Sequence, residues 1–227
     1  MQRYNLFYMI HKGLREMLYT TAGQLQKIDF TVSEETEPVF NQVTQVLNLF
    51  DKHAHTEDHF VLTAIETYEP SVVNLFEEEH VLDHELSNKL RSLLTMFDGL
   101  TLDAEKTELG SAIRLAFTEF LVFNLNHMAK EERVLNQLLW NYYSDEELHG
   151  ITQQIIAQLP PEQMQEYSTW MMRALSNQEI IGWLKSIKDN APDFVFNGML
   201  SLAEKELPED RLQTVLSNIT EGALLAS

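Results

Sequence analysis

The sequence predicts an all-α protein, with an antiparallel up-down four-helix bundle over residues 1–143 and an extension of shorter helices over 144–227. Three observations predict it. Glycine and proline are scarce, eight and six in 227 residues, so long stretches run without a breaker. Apolar residues make up 44% of the chain and recur at spacings of three and four. No alternating Val/Ile/Thr run of the kind that marks a strand is present.

The first helix is expected at about Tyr4–Ile28 and a loop at Asp29–Pro38, with the second helix at about Val39–Tyr68. Glu69-Pro70-Ser71 ends that helix, because the residue before a proline is pushed out of the helical region. A third helix at about Val72–Phe97 stops at Asp98-Gly99, and a fourth covers about Glu105–Tyr143, with Gly110 weakening its first turns. Ser144-Asp145-Glu146-Glu147 is a capping-box pattern that starts a new element. Beyond it, Pro160-Pro161, Ser176-Asn177, Asn190-Ala191-Pro192 and Leu207-Pro208 divide the extension into short helices. No internal repeat or low-complexity segment is evident. The extension reads either as a cap on the bundle or as a separate protein-interaction module.

Composition excludes several classes of function. With 35 acidic against 16 basic residues the formal charge is −19, which disfavours nucleic acid and anionic membrane surfaces as partners. Both halves share the excess. The absence of Cys removes disulfides, thiolate metal sites and thiol nucleophiles. Met1–Ile10 lacks the apolar core of a signal peptide and no run reaches a membrane span, so a soluble, cytoplasmic protein is expected.

The chemistry lies on the inward stripes. The first helix places Tyr4, Phe7, His11, Leu14, Leu18, Leu25 and Ile28 on one face; the second places Val39, Val43, Val46, Phe50, His53, Glu57, Phe60 and Ala64. The third gives Val73, Phe76, His80, His84, Leu90, Leu94 and Phe97, and the fourth Ile113, Phe117, Phe120, Asn124, His127, Glu131, Leu135 and Leu138. Every helix therefore aims a histidine at the bundle axis, and two add a carboxylate one turn later. His11 lies seventeen residues before the end of its helix, and His127 lies seventeen after Gly110. At about 1.5 Å rise per residue, these groups and the others converge within a turn or two of one level. A single inward histidine is most often a hydrogen-bonded core residue. Buried carboxylates at the same level are costly without a cation, and nitrogen and carboxylate donors without sulfur suit iron, manganese or zinc.

In this pattern the chain resembles the hemerythrin-like (HHE cation-binding) family. The resemblance rests on His11 in Ile10-His11-Lys12-Gly13-Leu14, on His53-Ala54-His55-Thr56-Glu57-Asp58, on His80-Val81-Leu82-Asp83-His84 and on His127-Met128-Ala129-Lys130-Glu131-Glu132. It covers roughly residues 4–140. It implies a centre of two non-haem iron ions bridged by Glu57 and Glu131 and capped by His11, His53, His80, His84 and His127. His55 lies on the far face of its helix, and His59 is off the stripe. The closing His127-xxx-Glu131 resembles variants associated with iron and nitric oxide, whereas His84 supplies the fifth histidine of oxygen carriers.

The resemblance implies a protein that binds or senses O2, NO or iron. An enzyme acting on NO or peroxide, or donating iron for repair, is the alternative. No general base, nucleophile or Gly-rich loop suggests organic-substrate catalysis. The extension carries apolar clusters, Trp170-Met171-Met172 and Ile180-Ile181-Gly182-Trp183-Leu184, that pack either on the bundle or on a protein partner. It loosely resembles the helices that follow such domains in iron-sensing ubiquitin-ligase proteins, although no ligase module is visible. A ferritin-like di-iron protein, built on Glu77-xx-His80 and Glu146-xx-His149, is a lesser alternative.

Overall fold

The computed structural model describes residues 3–224, with side chains to Ile219, and all regular structure among the described residues is helical. The protein is an all-α helical bundle. Helix α1 spans Tyr8–Leu25 and α2 spans Ser33–Thr56; a π-helical turn, Glu57–Leu62, continues α2 into the short α3, Thr63–Glu66. Helices α4 (Pro70–Asp98) and α5 (Asp103–Arg133) pack along each other, and α2 packs on α4. Then come α6 (Leu135–Tyr142), α7 (Asp145–Gln158), α8 (Pro161–Ala174), α9 (Asn177–Asn190), α10 (Asp193–Glu206) and α11 (Glu209–Leu224). No helix among the described residues is long and apolar enough to cross a membrane.

The boundaries differ from the sequence expectation for identifiable reasons. Residues 3–7 precede α1 because they are tied down elsewhere: Arg3 donates from Nε to Asp145 Oδ1 at 2.6 Å and from Nη2 to the Tyr143 carbonyl at 2.6 Å, and Trp140 Nε1 donates to the Tyr4 carbonyl at 2.6 Å. Helix α2 starts at Ser33, not Val39. Glu34 and Glu35 in its first turn favour the positive helix end, and Pro38 is held in the second turn at the loss of one backbone hydrogen bond. The fourth expected helix breaks at Val134, where φ −98° and ψ −58° separate α5 from α6.

The inward stripes follow a strict three–four alternation. Buried positions on α2 include Thr36, Val39, Val43, Val46, Phe50 and His53; on α4 they are Val73, Phe76, His80, Asp83, Ser87, Leu90 and Phe97. That alternation is the 3.5-residue period of bundle seams. After Glu57 the stripe slips by one residue. Val61, Leu62 and Ile65 are buried where Phe60 and Ala64 were expected, because the wider π turn rotates everything beyond it by about one residue.

By contacts the chain forms two compact units. Unit 1 comprises residues up to Tyr8 together with Met17–Leu159, and unit 2 comprises Met9–Glu16 and the chain from Pro160 onwards. The division between the units in this part of the chain falls at Leu159/Pro160, and α7 groups with unit 1. One end of unit 1 is closed by Phe7, Val61, Leu62, Ile65, Val73, Phe76, Leu135, Leu139 and Leu148. Unit 2 has its own core of Met172, Leu175, Ile180, Ile181, Leu184, Ala203, Leu207, Leu212, Val215 and Ile219. Most of the apolar cluster residues singled out in the extension are thus used within unit 2.

The later helices carry a regularity that the sequence reading missed. Helices α7 to α11 begin at Asp145, Pro161, Asn177, Asp193 and Glu209, sixteen residues apart throughout. Each is preceded by Ser or Pro, and α7 to α10 each end in an extended residue: Leu159, Leu175, Ala191 or Leu207. Ser144 and Ser176 form complete capping boxes with Glu147 and Glu179. Residue identity varies along this repeat, and only the cap and the apolar spacing persist.

Gly110 is a seat for a ring, whereas its residue type alone suggested a weak helical turn. A Cβ there would stand 2.1 Å from Cγ of the buried Phe30. Gly110→Ala gains about 1 kcal/mol of helix propensity yet forces the ring out of its place, an overpacking cost of about 1–3 kcal/mol. The net expectation is a lower urea midpoint at unchanged slope; a higher midpoint would contradict this packing.

Candidate metal centre

Four inward side chains of unit 1 meet where α4 and α5 face the α2–π junction. Glu57 opens the π turn, His80 lies on α4, and His127 and Glu131 lie one turn apart on α5. Glu57, His80, His127 and Glu131 are all buried and offer donor atoms within 4.8 Å of one another. His53, one turn before Glu57, forms a second such set with Glu57 and Glu131. The two sets share both glutamates.

The contacts are direct. His53 Nε2 is 3.1 Å from Glu57 Oε1, and His127 Nε2 is 3.1 Å from Glu131 Oε1. His80 Nε2 is 3.6 Å from Glu57 Oε2 and 3.1 Å from His127 Nε2. Two ring nitrogens so close cannot both carry hydrogens aimed at each other, so at least one lone pair faces the shared space. Imidazole nitrogens and carboxylates, all buried and without sulfur, fit iron, manganese or zinc as the resident cation.

The outer edges of the two rings meet carboxylates. His80 Nδ1 lies 2.6 Å from Asp58 Oδ1, and His127 Nδ1 lies 2.8 Å from Glu79 Oε2. Glu79 in turn accepts from Lys130 Nζ. Burial alone would make His80 less basic, but its hydrogen bonds to Asp58 and Glu57, and their charges, outweigh burial and push it up to about 10. His127 is raised in the same way: burial opposes, and the hydrogen bond and charge of Glu131, then Glu57 and Glu79, prevail. For Glu79 burial acts upward, yet Lys130 and His127 hold its carboxyl below the ordinary value.

One expected ligand, His84, is not brought here. The His84 side chain is 65% exposed and its Nδ1 faces Asp51 Oδ1 at 3.6 Å, outside the cluster. The inward position one step along α4 belongs instead to Asp83, which is buried and accepts from Asn124 Nδ2 at 2.6 Å. Continuing the three–four alternation past His80 lands on Asp83 and Ser87, whereas a step of four lands on His84. Burial raises the Asp83 carboxyl above its ordinary value. His11 is fully buried on α1, in the stretch Met9–Glu16 that groups with unit 2. His55 and His59 are exposed and stack on each other with ring centroids 6.3 Å apart. Both ferritin-like motifs fail on position, since Glu77, Glu146 and His149 are all exposed.

Sequence reasoning also missed Asp58, Glu79 and Lys130. Each is the chain neighbour of an inward residue of the cluster, and a neighbour about 100° round the helix lies at the seam with the next helix. That adjacency was the available signal.

No family model matches the chain. It is similar to F-box/LRR-repeat protein 5 of Salmo salar, 24% identical over 173 residues that cover 73% of this chain and 23% of that protein. It is also similar to the zinc finger protein BRUTUS-like of Arabidopsis thaliana, 23% identical over 218 residues that cover 93% of this chain and 16% of that protein. The chain thus spans less than a quarter of the length of these curated relatives. The buried His/Glu cluster on an all-α bundle is consistent with a hemerythrin-like domain and fits metal binding.

Two outcomes are expected of this arrangement. His80 and His127 bind protons more tightly in the folded protein than when unfolded. The His80 contribution to the stability of metal-free protein is therefore complete below about pH 6.5 and is lost as pH rises toward about 10, and the His127 contribution is lost in the same direction. The melting temperature of chelator-treated protein should fall across that window, and a flat or rising profile would refute proton uptake by this histidine pair. Separately, His84→Ala should leave bound metal per chain unchanged by elemental analysis; a loss of metal would restore His84 as a ligand.

Proposed function

We propose that this chain is a non-haem di-iron protein whose His/Glu centre binds or senses O2, NO or iron. One observation carries the reading: two buried donor sets, one with His53 and one with His80 and His127, share Glu57 and Glu131. Shared carboxylates between two nitrogen-bearing positions suit a pair of adjacent cations bridged by the glutamates. His11 joins the proposed ligands on its place in the sequence stripe and its complete burial. A pair of iron ions held by these residues would supply redox chemistry toward a diatomic ligand. The chain's own residues hold the donors at fixed separation, exclude bulk water through burial, and keep protons on the outer ring nitrogens.

Sensing or binding is favoured over stand-alone catalysis. The similar proteins are F-box/LRR-repeat and zinc finger proteins in which the matched segment is a minor part, as expected of a module that reports to the rest of a larger assembly. The extension's helices are the proposed route to a protein partner. An enzyme reducing NO or peroxide, or donating iron for repair, would use the same donors, and the spectra below separate a carrier from a sensor or an enzyme. Manganese or zinc in place of iron is tested by the same elemental analysis.

Protein produced with iron should carry about two metal ions per chain, and His53→Ala combined with His127→Ala should empty the site. One ion or none in the wild-type protein would sink the di-iron reading. Adding O2 or NO to the ferrous form should then distinguish the roles: a stable, reversible visible band marks a carrier, and rapid irreversible oxidation marks a sensor or an enzyme. His11→Ala should lower metal content, and unchanged content would remove His11 from the ligand set.

A further inference from the structure

Around the centre, ligands and their chain neighbours interlock from helix to helix. Glu57 faces the shared donor space while its neighbour Asp58 reaches across to His80 Nδ1 at 2.6 Å. His80 faces the same space while its neighbour Glu79 reaches His127 Nδ1 at 2.8 Å. Glu131 faces it too, and its neighbour Lys130 returns to Glu79. Three adjacent pairs, 57/58, 79/80 and 130/131, thus brace one another across the seams between the π turn, α4 and α5.

The chemistry of these contacts is directional. A carboxylate oxygen can only accept, so the hydrogen sits on the Nδ1 facing Asp58 or Glu79. A neutral imidazole with its hydrogen on Nδ1 has its lone pair on Nε2, and Nε2 is the atom each ring turns to the donor cluster. We propose that Asp58 and Glu79, the latter held by Lys130, are positioning residues that fix His80 and His127 as Nδ1–H tautomers and so prepare both Nε2 atoms to ligate one cation. Neither carboxylate is a ligand; each acts through the ring it holds. The inference rests on the metal-centre reading above.

Cobalt(II) titration of the full chain, followed by its visible ligand-field bands and by competition with a chromophoric chelator, tests it. Asp58→Ala and Glu79→Ala should weaken binding of one cobalt equivalent by about 10–100-fold, the range lost when such outer hydrogen bonds are removed. Asp58→Asn and Glu79→Gln preserve shape, and their amide oxygen still accepts from Nδ1–H without a charge, so they should fall between alanine and wild type. These conservative variants keep the test decisive where an alanine variant does not fold. Lys130→Met should produce a smaller loss confined to the same equivalent. Unchanged affinity in all variants, with only the melting temperature of the metal-free form lowered, would show a purely structural role and overturn the proposal. Wild-type protein that takes up no cobalt would overturn it together with the metal centre itself, which separates the two failures.

Discussion

The burial of two glutamates in the middle of a helical bundle is the constraint on which the rest depends. Glu57 is 3% exposed and Glu131 is not exposed at all. An isolated carboxylate in such a place is disfavoured by several kcal/mol even after relaxation. Pairing with His53, His80 and His127 turns that penalty into a requirement for positive charge, supplied either by protons on the rings or by metal cations. The raised basicity of His80 and His127 expresses this demand in the protein alone. Cations binding there would displace protons already concentrated at the site, linking metal affinity and acidity through these same side chains.

Local structure yields to this demand at one place. A π turn is a rare one-residue insertion in a helix, and here it begins at the glutamate it serves. Glu57 stays in line with the stripe of α2, the slip by one residue is deferred to the segment beyond it, and Asp58 comes to stand beside His80. The apolar core past the turn, Val61, Leu62 and Ile65, is packed in the shifted register. Site geometry and core packing are therefore two consequences of a single turn.

Much of this was legible in the sequence because bundle seams repeat with a strict three–four alternation. That period alone placed His53, Glu57, His80, His127 and Glu131 inward and kept His55 outside. Where the reading departed from the period it erred: a step of four from His80 selected His84, while the unbroken alternation leads to Asp83. The π turn was illegible, since no residue from Glu57 to Leu62 announces an i→i+5 bond. The sixteen-residue spacing of α7 to α11 escaped for a different reason. Its conserved content is a cap, a length and an apolar rhythm, properties that comparison of residue identities does not register.

Asp58, Glu79 and Lys130 show what periodicity cannot supply. They are ordinary charged residues half-way to solvent, and a count of surface charges would absorb them among the 35 acidic and 16 basic residues of the chain. Their importance comes from being next in sequence to residues that face inward. On a helix, a neighbour about 100° away is at the seam whenever the first residue is on the axis. A helix with an inward ligand thus has a position beside it that can reach the ligand of the adjoining helix. In this bundle that position holds an acceptor for two inward histidines, Asp58 for His80 and Glu79 for His127. The position beside Glu131 holds a cation, which neutralises the acceptor that His127 needs. The charge alternates outward from the centre, glutamate, imidazole, carboxylate, ammonium, so each group is stabilised by the next and the outermost reaches water.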